Sequence, residues 1–433
     1  MKVSMTALGC AKNQVDSERM LFMLRQMGHE ITDAEHAEAV IVNTCGFIDP
    51  AKEESIDAIF SAVKLKEKGL RYLLVTGCLA QRYGRDLLEE IPEIDGIIGV
   101  EQYKNFPRLF TETLEGRKPF AVERTGENFE CGRVLLTPAY TAYVRIGEGC
   151  DNRCTYCAIP RIRGGYRSVP MDSVLREMRS LSANGAREQI LIAQDTSRYG
   201  RDLGMKNGLA ELLERAGEIP GIDWLRVLYL YPDDVDRALI DAMASVGKLC
   251  RYVDIPLQHS RPEILRAMNR RGDIDKIEDT LSYAREKGFC LRTTMIVGFP
   301  GETEEDFDAL CDFTARVRFD RLGAFAYSPE EGTSAANMPG QVPEEEKQRR
   351  LDTLMTLQAG ISLERNEKRI GTREKVLVCR KTGKKLYCRS AWEAPDADGW
   401  IIIAGGDAAP GEMRSVRITG ADTYDLYGEL EGE

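Results

Sequence analysis

The sequence predicts an α/β chain in three parts: an N-terminal parallel-sheet α/β domain, a central partial (β/α) barrel and a small C-terminal all-β barrel. Two runs of apolar strands alternate with helical stretches, a charged irregular stretch separates them, and short strands with turns fill the last part. At 433 residues the chain is too long for one ordinary domain.

The first run reads VSMTALGC, the helical QVDSERMLFMLRQMG, then AVIVNTC, a helix from Ser55 to Lys68, and YLLVTGC. Strands separated by helices imply parallel pairing with crossover helices. Cys10, Cys45 and Cys78 each close one apolar strand. In open parallel sheets ligands sit beyond the strand C-termini, so these three are candidates for a joint site. Small buried core cysteines are the other reading of the same residues.

Residues 1–115 form the expected N-terminal domain and 116–137 a linker. A second alternating region, expected over 138–365, holds TAYVRIGEGC, QILIAQD, WLRVLYLYP, YVDIPLQH, LRTTMIVGFP and LGAFAYS between helical stretches. Such repetition predicts a full or partial barrel with its chemistry at the strand C-termini. A long polar helix from Glu344 leads into the last part, 366–433, where KVLVCRK, KKLYCRS, GWIIIAG and SVRITGA predict a small β-barrel.

Composition narrows the function classes. No stretch approaches the length of apolar residues a membrane helix needs, and MKVSMTALGCAKNQ has no signal-peptide core, so a cytoplasmic chain without a membrane partner is expected. Twelve cysteines are then expected to be ligands or fillers rather than a disulfide framework. A net charge of -11 disfavours a generic nucleic-acid binder and favours a basic protein partner. From Glu393 to Glu433 ten acidic residues face two basic ones, which would repel a phosphate backbone unless the fold hides them.

The stretch GEGCDNRCTYCAIPRIRG, residues 147–164, holds Cys150, Cys154 and Cys157 in the order CxxxCxxC just after the first barrel strand. Structural zinc usually takes two close pairs of ligands, and this triplet lacks its second pair. Three thiolates on a 4Fe-4S cube leave one iron open to an external ligand.

With Tyr156 before its third cysteine, the motif resembles the signature of the radical S-adenosylmethionine (SAM) superfamily. That resemblance implies that SAM completes the cluster and that one-electron cleavage yields a 5'-deoxyadenosyl radical. By the same likeness, Ala193, Gln194 and Asp195 stand where a GGE-like turn meets the methionyl amino group, and Ile296 and Gly298 mark a second cofactor-facing strand end. GFPGET alone also reads as an ordinary strand-to-helix turn.

LGCAKNQVDSE, NTCGFID and VTGCLAQ further resemble the N-terminal domain of the methylthiotransferases, radical enzymes that replace C–H by C–SCH3. The likeness spans the chain and ends in a TRAM domain. It implies a second 4Fe-4S cluster on Cys10, Cys45 and Cys78, and two SAM molecules, one methylating sulfur and one supplying the radical. An electron-donor protein and a sulfur donor follow as partners.

One branch of the family modifies a tRNA adenosine, and the other an aspartate β-carbon in the twelfth small-subunit ribosomal protein. Segments 229–234 (YLYPDD), 255–260 (IPLQHS), 327–336 (YSPEEGTSAA) and 393–399 (EAPDADG) resemble the second. The tRNA branch typically has a basic residue near the position of Glu330. Negative charge agrees with a basic ribosomal substrate. A tRNA substrate and a non-catalytic iron-sulfur or zinc scaffold are the alternatives. His259 could help position substrate but reads more readily as a satisfied structural histidine, and Asp233 and Asp234 read as substrate contacts or as caps of a helix near Val235. Cys131, Cys250, Cys290, Cys311, Cys379 and Cys388 have no ligand-like spacing and read as fillers or surface residues.

Overall fold

The computed structural model describes residues 1–431; Gly432 and Glu433, within the expected C-terminal domain, lie outside the described residues. Strands β1 (Lys2–Ala7), β2 (Glu30–Ile31), β3 (Ala39–Thr44), β4 (Tyr72–Gly77), β5 (Gly96–Ile98) and β6 (Phe120–Ala121) form one parallel sheet, ordered β2-β1-β3-β4-β5-β6. β3, with the run AVIVNT, is buried at every residue, as a strand covered on both faces by crossover helices should be. Those helices are α1 (Ala11–Gln26), α2 (Asp49–Lys66), α3 (Cys78–Glu90) and α4 (Phe106–Leu114).

Helix α1 is wrapped on all sides. Val15, Met20, Leu21 and Leu24 are buried, and so are Asn13, Asp16, Glu18 and Arg19. Its polar stripe is the seam with the central domain: Glu18 pairs with Arg133, Arg19 with Glu177, and Asp16 with Arg145 and Arg163. Buried charges persist only when paired, so this seam is an ionic weld rather than a wetted face.

The central domain runs β7 (Thr141–Arg145), the short pair β8 (Gly147–Glu148) and β9 (Arg167–Ser168) around α5 (Ile159–Arg163), then α6 (Met171–Ala183), β10 (Glu188–Ile192), α7 (Gly208–Gly217) and β11 (Trp224–Val227). It continues through α8 (Arg237–Ser245), β12 (Tyr252–Asp254), α9 (Pro262–Ala267), α10 (Ile274–Glu286), β13 (Cys290–Val297), α11 (Glu304–Val317), β14 (Arg321–Ala326) and α12 (Glu344–Glu367). Two parallel three-stranded sheets, β11-β10-β7 and β12-β13-β14, meet through Leu225 and Leu249 and close a partial barrel. Its outer apolar side chains pack on the helices in one continuous core. GETEED starts α11 with a capping box between Thr303 and Asp306, so the acidic run there is an N-terminal cap.

β15 (Arg373–Thr382), β16 (Lys385–Ser390), β17 (Ile401–Ile403), β18 (Met413–Ala421) and β19 (Leu426–Leu430) close a five-stranded barrel around Val376, Val378, Leu386, Ile401, Val416 and Ile418. The loop EAPDADG leaves this barrel and plugs the central one. Glu393 pairs with Arg321 and Arg369, Asp396 accepts from the Tyr143 hydroxyl at 3.1 Å, and Asp398 from the Tyr252 hydroxyl at 2.6 Å. The fold thus hides part of the acidic C-terminal surplus.

Candidate functional site

Cys10 is the N-cap residue of α1, Cys45 follows β3, and Cys78 is the first residue of α3. The three strands end side by side, so their loops converge. At Gly9, in the left-handed region at φ +84°, a Cβ would lie 2.7 Å from Cys45 Cβ. Gly77, at φ +95°, lies so close to β3 that a Cβ would meet Thr44 O at 2.3 Å. Only glycine permits that approach and that turn into Cys78. The Cys78 thiol faces Asn13 Oδ1 at 3.6 Å.

Cys150, Cys154 and Cys157 occupy the loop between β8 and α5, beyond the end of β7. Cys157 N donates to Cys154 O at 3.1 Å, and Cys150 N donates to Gly164 O at 3.1 Å, which folds the loop back on itself. Burial pushes the Cys150 thiol up to about 11 and the Cys157 and Cys78 thiols up to about 12; burial also raises Cys45. Burial raises Cys10 as well, but the positive charges of Lys12 and Arg163 outweigh it and leave the thiol below its ordinary value.

Between the two triads lies a buried charge network. Arg163, at the end of α5, donates to Asp16 at 3.1 Å and Glu148 at 3.0 Å, and also to Asn13. Arg145 pairs with Glu148 at 2.8 Å and also with Asp16. Burial would raise the Glu148 carboxyl, but Arg163 and Arg145 hold it at about 2. Gln194 donates to Glu148 at 2.9 Å.

Among the expected cofactor positions, Ala193 follows β10 with its carbonyl 3.4 Å from Lys12 Nζ, and Gln194 Oε1 is buried without a partner. Asp195 is buried and accepts from Asn152 and Ser197, each at 2.6 Å. Tyr156 and Ile296 pack at the edge of one small cluster, and the Tyr156 hydroxyl lies 3.4 Å from Arg270 Nη1. Gly298, at φ +71°, is explained by α12: a Cβ there would meet Lys347 Cγ at 2.4 Å.

These residues fit the implied groups. One triad gathers thiols from three adjacent loops and the other from a single loop, each with nearby cations that would offset cluster charge, and the orphaned Gln194 Oε1 offers an acceptor to an ammonium donor such as SAM's. Among the described residues no three Cys, His, Asp or Glu side chains surround one point that a single ion could fill. A cube spreads its ligated irons over separate corners, so its thiols need not meet at one point.

Comparison with known proteins matches residues 144–314 to the radical SAM superfamily, 2–99 to the uncharacterized protein family UPF0004 and 370–430 to the TRAM domain. The chain is 48% identical to ribosomal protein uS12 methylthiotransferase RimO of Pelotomaculum thermopropionicum, over 99% of each chain. It is 46% identical to that of Geobacter sulfurreducens, over 99% of this chain and 98% of the relative. The chain belongs to the RimO family. Among solved structures, the radical SAM methyltransferase TsrM from Kitasatospora setae is similar in fold, with a TM-score of 0.57 at 18% identity over 77% of this chain and 76% of the other. This RimO-family chain is a radical SAM methylthiotransferase, with SAM and 4Fe-4S clusters as its cofactors.

Other expected positions fall differently. His259 is fully buried: Nδ1 accepts from Arg261 N at 3.0 Å and Nε2 lies 3.6 Å from Glu302, so it braces its own loop. The cap of α8 is Asp236, not Asp233 or Asp234. Those two line a cavity of 390 Å³ with Tyr231, Asn152 and Arg153 beside the CxxxCxxC loop. Cys250, Cys290 and Cys388 are buried in apolar clusters as fillers. Arg163, Glu148, Arg270 and Lys12 escaped the sequence reading, although Arg163 and Glu148 lie inside the motif stretch itself. In sequence, a charged residue that will be buried looks the same as a solvated one.

Proposed function

We propose that the chain converts a β-carbon C–H of an aspartate in ribosomal protein uS12 to C–SCH3, in the cytoplasm. In this reading Cys150, Cys154 and Cys157 hold the SAM-binding cluster and Cys10, Cys45 and Cys78 hold the second. Tyr156, Ala193, Gln194, Asp195, Ile296 and Gly298 form the SAM-side wall. The carrying observation is identity to uS12 methylthiotransferases over nearly the whole chain, with both triads present. The division into 1–115, a 116–137 linker, 138–365 and 366–433 belongs to the same reading, as do an electron-donor protein and a sulfur donor.

When bound, the clusters and SAM supply one-electron cleavage of a sulfonium and a site for the transferred sulfur. The chain's own part is placement. Lys12 reaches Ala193 O from two residues beyond Cys10, so the N-terminal triad's loop lies against the strand end assigned to SAM. Arg163, Arg145 and Glu148 lock that apposition in a buried network, and the C-terminal loop at 393–399 closes the barrel from inside. Such walls keep water from a reactive carbon radical.

The test is anaerobic: reconstitute with iron and sulfide, add SAM and reductant, and offer uS12 and tRNA together. Mass spectrometry should find one methylthio increment on an aspartate of uS12 and an unmodified tRNA. An increment on tRNA alone overturns the substrate assignment.

A further inference from the structure

We infer that Lys12 receives the carboxylate of the aspartate being modified, an inference that rests on the aspartate reading above. Lys12 is 8% exposed. Lysine is almost never buried unless paired. Among the described residues no carboxylate pairs with it; its ammonium meets only Ala193 O at 3.4 Å and the face of Tyr229, 3.9 Å from the ring centroid. A carbonyl and a ring face solvate an ammonium without neutralising it.

The neighbouring cations are already engaged. Arg145 and Arg163 share Asp16 and Glu148, and Arg292 pairs with Asp254 at 2.8 Å. Arg270 is turned toward Cys154, Tyr156 and Pro256 O. Lys12 is left at the seam between the triads as a buried cation that no carboxylate meets among the described residues, while Arg270, the other such cation, faces Cys154 and Tyr156.

Its setting is built. Tyr229 holds a left-handed backbone at φ +64°, a conformation costly for a non-glycine residue. It is fixed there by Tyr229 N donating to Asp254 at 2.9 Å and Thr196 N donating to Tyr229 O at 3.0 Å. That conformation carries the ring under Lys12. A cavity of 210 Å³ is lined by Cys10, Ala11, Tyr143 and Tyr229, the residues that flank Lys12 rather than Lys12 itself, and by two carboxylates already engaged, Asp254 by Arg292 and Asp396 by the Tyr143 hydroxyl.

The position suits the reaction. The carbon that changes must lie between the SAM-side wall at Ala193 and the sulfur-side loop at Cys10, and Lys12 joins these two. In aspartate the β-carbon is bonded directly to the carboxylate carbon, so holding the carboxylate places the reacting carbon one bond, and its hydrogen two bonds, from a fixed point. An ammonium also distinguishes aspartate from asparagine, which has the same shape without the charge.

The experiment offers the reconstituted enzyme uS12 and a uS12 variant with the target aspartate changed to asparagine, and measures kcat/KM for methylthiolation and Kd for each. The wild-type enzyme should prefer aspartate by about 100-fold or more. In Lys12→Met, with iron content checked, that preference should collapse to below about tenfold, and Lys12→Arg should restore part of it. A wild-type preference below about tenfold overturns the inference without any variant. An equal loss by Lys12→Met on both substrates overturns it too, since it marks a structural role. Absence of modification of either protein by the wild-type enzyme instead refutes the aspartate reading, and the inference with it.

Discussion

Arg163 Nη2 donates to Asp16 Oδ2 at 3.1 Å, both residues buried, and so ties the helix that Cys10 begins to the helix that follows Cys157. Removing one partner of a buried ion pair strands the other charge, which costs about 3 to 5 kcal/mol. Arg163→Ala should therefore lower the thermal midpoint by several degrees and disturb both cysteine loops. Differential scanning calorimetry together with iron analysis checks this; an unchanged midpoint with full iron loading contradicts the weld.

The two triads should separate in function. Two cubanes predict about eight irons per chain, and loss of either triad should leave about four. Cys150→Ala, Cys154→Ala or Cys157→Ala should abolish 5'-deoxyadenosine formation. Cys45→Ala should retain SAM cleavage and lose methylthio transfer, as read by chromatography of the nucleoside and mass spectrometry of the protein. Full transfer by Cys45→Ala would refute this division.

Glu330 is 2% exposed and takes both Lys52 of α2, at 3.0 Å, and Arg82 of α3, at 3.3 Å. It clamps the N-terminal domain to the end of the central barrel. Glu330→Lys would place a third cation there, so the clamp should open and proteolysis in the 122–137 segment should accelerate by about tenfold or more. Cleavage at the wild-type rate would show that the clamp contributes nothing.

Acid should loosen the C-terminal barrel. Burial would raise the Glu188 carboxyl, but Arg389 and then Arg226 hold it at about 2, below the ordinary 4.5. A depressed folded-state value means the pairing stabilises above pH 4.5 and is lost as pH falls from 4.5 through about 2. Its worth is about 3 kcal/mol. Urea midpoints of wild type and Glu188→Gln should differ widely at pH 7 and converge toward pH 3; a constant gap would contradict the pairing.

Much of this was legible in the chain. Strand and helix alternation gave the parallel sheet, and cysteines closing successive strands come out at one edge of it, because strand ends in such sheets are neighbours. The small barrel followed from its spaced short strands. What stayed hidden depends on domain docking. The polar stripe of α1 reads as a solvated face, yet Asp16, Glu18 and Arg19 are buried against Arg145, Arg133 and Glu177. The acidic C-terminal stretch left open whether the fold hides its charge, and Glu393, Asp396 and Asp398 turn out to be engaged inside the fold. Gly298 was expected from its cofactor-facing position alone, and its close approach to Lys347 was not legible in the chain.

The central claim is that hydrogen leaves the aspartate β-carbon for the SAM-derived radical in the space between the two triads. uS12 carrying β-deuterated aspartate tests it most directly. Mass spectrometry of 5'-deoxyadenosine after turnover should show one deuterium gained per methylthiolated protein. Methylthio product with unlabelled 5'-deoxyadenosine would contradict the claim.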